Sequence, residues 1–428
     1  MRYENWLHIG ALDIKTPSCP PLRGHIVTDC LVIGAGFAGL HAALRLADAG
    51  KKVVLVEKNI CGGSSSGQSA GFLTPESEED MRQIVKHYGE KKAKIIYNIP
   101  LSGVQLIVDT ARKYRFNCDL RKQDSFYFST KKRDNKNIEE EAEYREENDM
   151  PYKIFKKEGL KKVHPGKNYL LGMRYSGSYG INSFAYCQEM KNLLLKMGVK
   201  IFEGSEVYKI NGKTAETHLG NVTADNIILC VDKLKAELNE EFSKKFHTYQ
   251  TYLAISEPLT DQEVKDLFPN GELMCWDTNM IYIHYRLIDG NRILIGGGNL
   301  LTTYSSNYDY SQKTIDKFIN NLKDNFPTIK DVEFTHYWSG MLDITKDLIP
   351  IVDWDPRNKF IQYVMGCAGL NWAAYCGDYA ARRVISKKTE DLTEFLGANR
   401  KFFISENLQK FLGKRVSFAL SNLKKLLG

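Results

Sequence analysis

The chain has 428 residues, of which 43% are hydrophobic and 26% are charged, which is typical of a globular protein with two or three domains. Its net charge of +7 comes from 59 basic and 52 acidic residues, an excess too dilute to indicate nucleic-acid binding. Nine cysteines occur singly without metal-ligand spacing, and no segment approaches the roughly 20 apolar residues of a membrane span. We therefore expect a cytoplasmic protein with reduced thiols, no metal centre and no nucleic-acid partner.

The first predicted elements form a βαβ unit. The run TDCLVI predicts a strand, FAGLHAALRLADAG predicts a helix and VVLVEK predicts a second strand. Between the first strand and the helix lie Gly34, Gly36 and Gly39, whose spacing permits a tight turn and the close approach of a pyrophosphate. Glu57 ends the second strand, where it can accept hydrogen bonds from ribose hydroxyls. The unit predicts a site for FAD or NAD that also includes Phe37, Ala38 and Lys58.

A second loop of small residues, CGGSSSGQSAG, begins a few positions after Glu57. Its composition would let backbone amides and hydroxyl groups touch a cofactor closely. FAD, with its ribityl chain and broad ring, explains such a loop better than NAD does, although a flexible surface loop has the same composition. The loop residues predicted to contact FAD are Ser64, Ser65, Ser66, Gly67 and Gln68.

The rest of the chain predicts a second domain interleaved with the first. A charge-rich tract that begins at Lys131 is predicted to be a solvated helix and loop. From Thr248 to Gly298 the runs TYLAISEPL, NMIYIHYRL and NRILIGGG predict alternating strands. In FIQYVMGCAGLNWAAYC a strand is followed by Gly366, Gly369 and a helix, whose N-terminus could stabilise negative charge on a reduced flavin. We see no repeat and no low-complexity linker, so the domains should be interleaved.

Several motifs occur together along almost the whole chain: the GxGxxG unit, CGGSSSGQSAG, GVKIFEGSEVYKI, YIHYRLIDGNRILIGGGNL, YWSGMLDITKDLIPIV and MGCAGLNWA. This combination resembles the D-amino-acid oxidase and glycine oxidase superfamily of FAD enzymes, and within it the gamma-glutamylputrescine oxidoreductase branch. The resemblance implies an α/β fold in which a Rossmann-like FAD-binding domain, made of separated segments, is interleaved with an antiparallel-sheet substrate domain. We place the FAD-binding domain at residues 1–100, 165–240 and 331–428, and the substrate domain at 101–164 and 241–330.

The chain departs from the pattern of these relatives at three places. Gln68 stands where the branch usually has arginine, and residues 369–371 stand where it usually has Gly-His-Gly. Gly340 stands near the position of the flavin-linked cysteine of sarcosine oxidases, so we expect noncovalent FAD. The segment 292–296 lacks the lysine that those oxidases hold over the flavin, which leaves open whether O2 or another acceptor takes the electrons. The resemblance assigns further cofactor contacts to Val207, at the adenine, and to Gly340, Gly366, Gly369, Leu370 and Asn371.

Hydride removal from an amine needs a neutral nitrogen, which burial beside aromatic groups can supply. His284 could accept a proton, because the ordinary pKa of histidine is about 6.5, although a purely structural histidine fits the same strand. We expect Tyr285 to be a wall of the pocket, and strand alternation then turns Arg286 to the opposite face. The candidate catalytic residues are Gln68, Tyr252, His284, Tyr285 and Trp338.

The sequence thus predicts an FAD-dependent oxidoreductase that oxidises the C–N bond of a small amine or amino acid by hydride transfer to the flavin. Two alternatives stay open: a D-amino-acid dehydrogenase that passes electrons to a quinone, and a non-catalytic flavin-binding sensor. The basic amphipathic segment after Glu406 could lie on an anionic membrane. Docking of its apolar face on the protein itself is the favoured interpretation.

Overall fold

The computed structural model describes residues 2–3, 17–76, 81–279, 281–299, 303, 311–386, 388–402 and 404–423. The strands of these residues form one nine-stranded, one eight-stranded and one three-stranded sheet. None of the described helices combines the length and the apolar composition that crossing a bilayer requires.

The strands divide among the sheets as follows. The nine-stranded sheet contains β1 (Arg2–Tyr3), β6 (Asp124–Ser129), β7 (Lys153–Lys156), β8 (Leu171–Tyr175), β14 (His247–Ser256), β15 (Leu273–Asp277), β16 (His284–Ile288), β17 (Arg292–Gly297) and β18 (Phe334–Ile344). The eight-stranded sheet contains β2 (Gly24–Ile33), β3 (Val53–Val56), β10 (Lys200–Phe202), β11 (Val207–Asn211), β12 (Thr214–Thr217), β13 (Gly220–Leu229), β19 (Ile351–Trp354) and β20 (Ile361–Met365). The three-stranded sheet contains β4 (Phe72–Leu73), β5 (Arg121–Lys122) and β9 (Tyr179–Gly180).

The helices connect and cover these sheets. They are α1 (Phe37–Asp48), α2 (Met81–Tyr88), α3 (Glu90–Tyr114), α4 (Asn135–Glu147), α5 (Lys157–Val163), α6 (Ser183–Lys196), α7 (Glu240–Ser243), α8 (Asp261–Leu267), α9 (Gln312–Asn325), α10 (Leu370–Ile385), α11 (Thr393–Leu396), α12 (Glu406–Leu412) and α13 (Lys414–Leu423). Short 3-10 turns lie at Lys132–Asp134 and Pro327–Ile329.

The eight-stranded sheet has a parallel centre in the order β10, β3, β2 and β13, with β20 parallel to the second half of β13. All four residues of β3 and all five of β20 are buried, as expected for parallel strands covered on both faces. Helices α1 and α10 cross closely, since a Cβ on Gly377 would lie 1.9 Å from the carbonyl oxygen of Ala38. Because β2, β3, β13 and β20 run parallel, their carboxyl ends meet at one edge of the sheet.

The nine-stranded sheet is mostly antiparallel, in the order β1, β18, β14, β17, β16, β15, β6, β8 and β7. Its two faces have different neighbours. The outer face, which carries Tyr252, Ala254 and Tyr285, packs on apolar residues of α8 and α9. The inner face, which carries Leu253, His284 and Trp338, faces the loop between residues 67 and 72. An α/β fold with a parallel sheet and a mainly antiparallel sheet confirms the predicted fold class.

The predicted domain bounds stay a prediction. The bound between residues 100 and 101 falls inside α3. Both β8 and β18 were assigned to the FAD-binding domain, yet both pair within the nine-stranded sheet.

The charge-rich tract after Lys131 is less exposed than the sequence predicts. Its helix α4 buries one side, including Arg145. The guanidinium of Arg145 donates to Glu141 Oε1 at 3.1 Å and to Glu76 Oε1 at 3.0 Å. Because a buried charge is costly without a partner, the ion pair with Glu76, which lies outside α4, ties the helix to the rest of the protein, whereas the pair with Glu141 lies within the helix. The expectation of a solvated helix therefore holds for the exposed side of α4 and not for the side that carries Arg145.

Candidate functional site

The glycine turn after β2 has the geometry that its spacing predicts. Gly34 has a φ of 98°, in the left-handed region that favours glycine. A Cβ on Gly39 would lie 1.8 Å from the carbonyl oxygen of Gly34, so glycine is needed for α1 to start this close to β2. Helix α1 begins at Phe37, and Gly36 before it supplies no side-chain cap. The positive end of the helix dipole thus lies at the carboxyl edge of the sheet.

The serine-rich loop closes over this helix start. Ser66 Oγ accepts a hydrogen bond from the Phe37 amide at 3.1 Å. A Cβ on Gly36 would lie 2.7 Å from the same oxygen. The amide of Gly62 donates to the carbonyl of Ala35 at 2.9 Å, which ties the beginning of the loop to the turn. Loop and turn together leave no room for a side chain at Gly36.

Glu57 follows β3 and lies beside the same turn. Its Oε2 accepts a hydrogen bond from the Ala35 amide at 2.8 Å, and its Oε1 accepts one from the Asn59 amide at 2.9 Å. Burial raises the pKa of the Glu57 carboxyl, and these two amides act in the opposite direction. A carboxylate oxygen accepts more than one hydrogen bond, so both oxygens keep capacity for ribose hydroxyls.

These elements border a cleft that encloses about 1050 Å³ of space, its open mouth included. The predicted cofactor residues that line it are Gly34, Gly36, Phe37, Ala38, Glu57, Lys58, Ser64, Ser65, Ser66, Val207 and Gly366. The sequence reasoning missed other lining residues, among them Glu206, Asp232, Lys233, Lys235 and Cys367. Most of these residues follow β10, β13 and β20, and strand ends at one edge of a parallel sheet are the signal that could have found them.

Asp232 is the most unusual of the missed residues. Its Oδ1 accepts a hydrogen bond from the Asp343 amide at 2.7 Å. Its Oδ2 is buried in the cleft wall and makes no hydrogen bond of ordinary geometry with the described residues, with the Ser65 hydroxyl beside it. Burial and the neighbouring Asp343 carboxyl raise the pKa of Asp232 to about 6. An acceptor with spare capacity therefore faces the cleft.

The inner face of the nine-stranded sheet forms the second part of the site. Strand register puts Trp338, Leu253, Gly296 and His284 in one row across four strands. Partners in an antiparallel ladder share a face, so these side chains point the same way. A Cβ on Gly296 would lie 2.3 Å from His284 Nε2, so glycine makes room for the imidazole. The row is apolar apart from the two ring nitrogens of His284 and the indole of Trp338.

His284 is the titratable group of this row. Its ring meets Phe72 edge to face, with ring centroids 5.4 Å apart. Burial lowers the pKa of His284 to about 4, so its imidazole is neutral at pH 7. Its Nδ1 is buried and makes no hydrogen bond of ordinary geometry with the described residues, with the main chain of Tyr282 beside the ring. The ring can therefore exchange a hydrogen bond or a proton with a ligand at this face.

Trp338 and Arg286 tie the inner face to the serine-rich loop. Trp338 Nε1 donates to the carbonyl of Gln68 at 3.0 Å. Arg286 Nε donates to the carbonyl of Ala70 at 2.7 Å, and its Nη2 donates to the carbonyl of Ile181 at 2.7 Å. Gln68 thus meets Trp338 through its main chain, and the buried cation below this loop is Arg286.

Tyr285 lies on the outer face, which corrects the expectation that it lines the pocket. Its hydroxyl contacts His164 Nε2 and lies 2.6 Å from the hydroxyl of Tyr169, inside an apolar cluster. Tyr252 belongs to the same cluster. Tyr285 and Arg286 do lie on opposite faces of the strand, as predicted. The two faces were exchanged, because Arg286 and not Tyr285 has its side chain on the inner face.

Four further residues that the resemblance predicts as cofactor contacts do not line the cleft. Gly340 is two residues after Trp338 on β18 and pairs with Thr251 of β14. The side chain of Leu370 packs in the core, and Asn371 Nδ2 donates to the carbonyl of Thr74 at 2.6 Å. Gly369 precedes α10 with a φ of 116° and offers main-chain groups only. A cofactor role for these four residues stays a prediction.

Comparison with known proteins decides the family. A family described as FAD dependent oxidoreductase, DAO, matches residues 29–383. The chain belongs to this family. The predicted resemblance and the predicted enzyme class, an FAD-dependent oxidoreductase, are therefore confirmed.

Individual relatives are more distant. A probable oxidoreductase, OrdL, of Haemophilus influenzae is 29% identical over 340 residues, which cover 77% of both chains. Gamma-glutamylputrescine oxidoreductase of Escherichia coli is 24% identical over 358 residues, which cover 81% of both chains. The crystal structure of glycine oxidase from Geobacillus kaustophilus matches with a TM-score of 0.76 and 17% identity, over 88% of this chain and all of that one. The last similarity concerns the fold.

The cleft of this FAD-dependent oxidoreductase suits FAD by its own chemistry. The helix start at Gly36 and the lysines at positions 58, 233 and 235 supply positive charge for a diphosphate. Glu57 and the partnerless oxygen of Asp232 are acceptors for hydroxyl groups, which FAD carries on its ribose and its ribityl chain. Gly36 and the small residues of the serine-rich loop line the cleft with main chain and short side chains, so a diphosphate can approach closely. The residues present therefore fit the cofactor of the family.

Proposed function

We propose that the protein holds FAD noncovalently and oxidises the C–N bond of a small amine by hydride transfer to the flavin. The observation that carries this proposal is the inner face of the nine-stranded sheet. There Leu253, Gly296 and Trp338 form an apolar row next to the loop that borders the cofactor cleft, and His284 ends the row. Flavin supplies a two-electron acceptor, and the surrounding residues would supply a dry surface for the substrate.

The apolar row prepares the substrate nitrogen. Burial beside Trp338 and Phe72 would disfavour an ammonium group, because a charge loses hydration there without gaining a partner. The neutral imidazole of His284 can take the proton that the ammonium must lose, or accept a hydrogen bond from the amine N–H through its unprotonated ring nitrogen. Hydride removal requires a neutral amine and a hydrogen-bond acceptor that holds this amine in place.

The charges on the inner face favour an amine without an α-carboxylate. A substrate carboxylate would need a cation. The described arginines on this face already use main-chain carbonyls: Arg286 donates to Ala70 and Ile181, and Arg292 donates to Ser256 at 2.9 Å. The relative from E. coli is named for gamma-glutamylputrescine, whose terminal amine has no carboxylate on the adjacent carbon although its glutamyl end carries one, which makes that compound a first probe rather than the assigned substrate.

Gly340 supports the proposal of noncovalent binding, because it offers no nucleophile at the position that the resemblance marks. Release of FAD into the supernatant after acid precipitation tests it, and a yellow pellet would contradict it.

We also place the enzyme in the cytoplasm, because its nine cysteines are scattered singly and all are free thiols in the structure.

The experiment that tests the function is an anaerobic screen of amines and amino acids against the purified holoprotein. Loss of the oxidised flavin absorbance with a primary or secondary amine is the expected result. Bleaching by D-amino acids alone would favour the dehydrogenase alternative, and reoxidation by a quinone but not by O2 would identify its acceptor. A flavin that no compound bleaches, in protein that binds FAD normally, would leave the sensor as the better interpretation.

A further inference from the structure

The C-terminal hairpin, α12 and α13, is attached to the protein by one side. Phe418 is fully buried and packs against Ile344 and Ala368, and its ring lies 5.4 Å from that of His247. Ser417 beside it is fully buried as well. The favoured interpretation from sequence, an apolar face that docks on the protein, thus describes this side of the hairpin.

The other side of the hairpin exposes apolar side chains. Phe411 is 86% exposed, and Leu408 is 43% exposed one turn before it on α12. On α13, Val416 is 46% exposed and Leu420 is 41% exposed, again one turn apart. Of the ten large hydrophobic residues that are exposed in the described part of the chain, four fall between positions 408 and 420. A concentration of this kind marks a contact surface rather than chance exposure.

The C-terminal sequence that contains these residues is rich in basic residues. Residues 401–428 contain six lysines and arginines and a single acid, Glu406, in a chain whose whole net charge is +7. Lys401 and Lys410 are exposed. An apolar surface bordered by basic residues complements a bilayer that contains anionic lipid. A second copy of this chain would bring the same positive charge against it and be repelled.

We propose that the C-terminal hairpin binds the surface of an anionic lipid membrane, with Phe411, Leu408, Val416 and Leu420 entering the headgroup region and the exposed Lys410 contacting lipid phosphates. Phe418 stays docked on the protein, so the membrane contact does not require the hairpin to detach. Because Ala368 lies between Gly366 and the start of α10, binding would bring the bilayer to the side of the enzyme on which the cofactor cleft is built. The proposal does not depend on which amine is oxidised.

Co-sedimentation of the FAD-loaded, full-length protein with lipid vesicles tests the proposal. Vesicles of phosphatidylcholine with phosphatidylglycerol should bind the protein, and vesicles of phosphatidylcholine alone should bind it weakly. Phe411→Asp should lower the partition onto anionic vesicles by about tenfold, since it replaces an inserting ring by a charge. Lys410→Glu and high salt should both weaken binding, through the loss of phosphate contacts.

The matched control is Val27→Asp, which places the same charge on a 72% exposed apolar residue of β2. It should bind vesicles like the parent. A parent protein that stays in the supernatant with anionic vesicles, or a Phe411→Asp protein that binds as the parent does, overturns the proposal. A parent dimer that Phe411→Asp converts to monomer, without vesicle binding, assigns the surface to a second copy instead. If Phe411→Asp does not retain FAD, Leu408→Ser replaces it with the same criteria.

Discussion

The two sides of the candidate site are encoded in different ways. On the side of the eight-stranded sheet, Gly34, Gly36, Glu57 and Ser66 lie close together in the sequence, and each is constrained by backbone geometry. On the side of the nine-stranded sheet, the row from Trp338 to His284 comes from four strands that are far apart in the sequence.

This difference decides which side can be inferred without a structure. A turn that admits no Cβ requires glycine at fixed spacing, so the cofactor side is visible as a local motif. A strand offers two faces, and a shift by one residue exchanges them. The substrate side therefore depends on register, which the sequence of one strand does not contain.

We expect the largest loss of function from a substitution in the glycine turn on the cofactor side. Gly36→Val should weaken FAD binding by more than about 100-fold, because a side chain there would push aside the Ser66 hydroxyl, 2.7 Å from the Cβ, and enter the cleft that Gly36 lines. Titration of the apoprotein with FAD measures it. Gly159→Ala is the control, since a Cβ there meets only Phe155 at 3.4 Å. Normal FAD affinity in Gly36→Val would separate the turn from cofactor binding.

We expect the second-largest effect from a substitution on the inner face of the nine-stranded sheet. His284→Asn should slow anaerobic flavin reduction by an amine by about 100-fold, the usual scale for losing a positioned proton acceptor. His164→Asn should leave that rate nearly unchanged, because His164 lies in the cluster of the outer face. Rapid mixing of each FAD-loaded variant with substrate compares them. Equal slowing in both variants would show that the two faces are not functionally distinct.

Much of the fold was predictable because it rests on local patterns. Apolar runs and a helical period found β2, α1 and β3, and the acid at Glu57 marked the end of the unit. The close packing of α1 on α10 was not predictable. It depends on Gly377 meeting Ala38, two residues whose approach is a property of the tertiary structure alone.

The substrate side was predictable only in part, for the same reason. His284 and Trp338 were found, but Tyr285 was placed on the inner face, because the alternation of a strand fixes relative and not absolute orientation. Asp232 was missed since a single acid after a strand is common, and its partnerless oxygen is visible only in the folded cleft.

Glu57→Gln tests the predicted contact between Glu57 and the ribose on the cofactor side. It should weaken FAD binding by about 1.5 to 3 kcal/mol, because hydrogen bonds from ribose hydroxyls to a charged acceptor are stronger than those to an amide. Isothermal titration of apoprotein with FAD gives the difference. Glu206→Gln, at an ion pair with Lys235 on the cleft rim, should change the affinity less. An effect of Glu57→Gln no larger than that of Glu206→Gln would contradict the ribose assignment.

One buried histidine beside each of the two large sheets should make the free energy of unfolding depend on pH, by similar amounts. Burial lowers the pKa of His41, in α1, and of His164 to about 4. The unfolded chain, with a histidine pKa of about 6.5, binds more protons in this window, so the free energy of unfolding falls as pH drops from 6.5 towards 4. Between pH 7 and 5 each histidine should contribute about 2 kcal/mol of this loss.

Urea unfolding at the two pH values measures the contribution of each histidine. His41→Asn and His164→Asn should each reduce the loss between pH 7 and 5 by a similar amount. His218→Asn is the control, since His218 is exposed. A pH dependence that survives both substitutions would mean that other groups carry it.

The smallest effect on activity should come from Tyr285→Phe, although Tyr285 is next to His284 in the chain. Its hydroxyl bonds His164 and Tyr169 on the outer face, so the substitution leaves two buried polar groups short of a partner. We expect a loss of about 1 to 2 kcal/mol in the free energy of unfolding and little change in the rate of flavin reduction. Tyr152→Phe, whose hydroxyl bonds Glu146 at an exposed site, should cost almost nothing in either measurement. A slow but fully stable Tyr285→Phe enzyme would return Tyr285 to the substrate side, and with it the register on which the inner face is built.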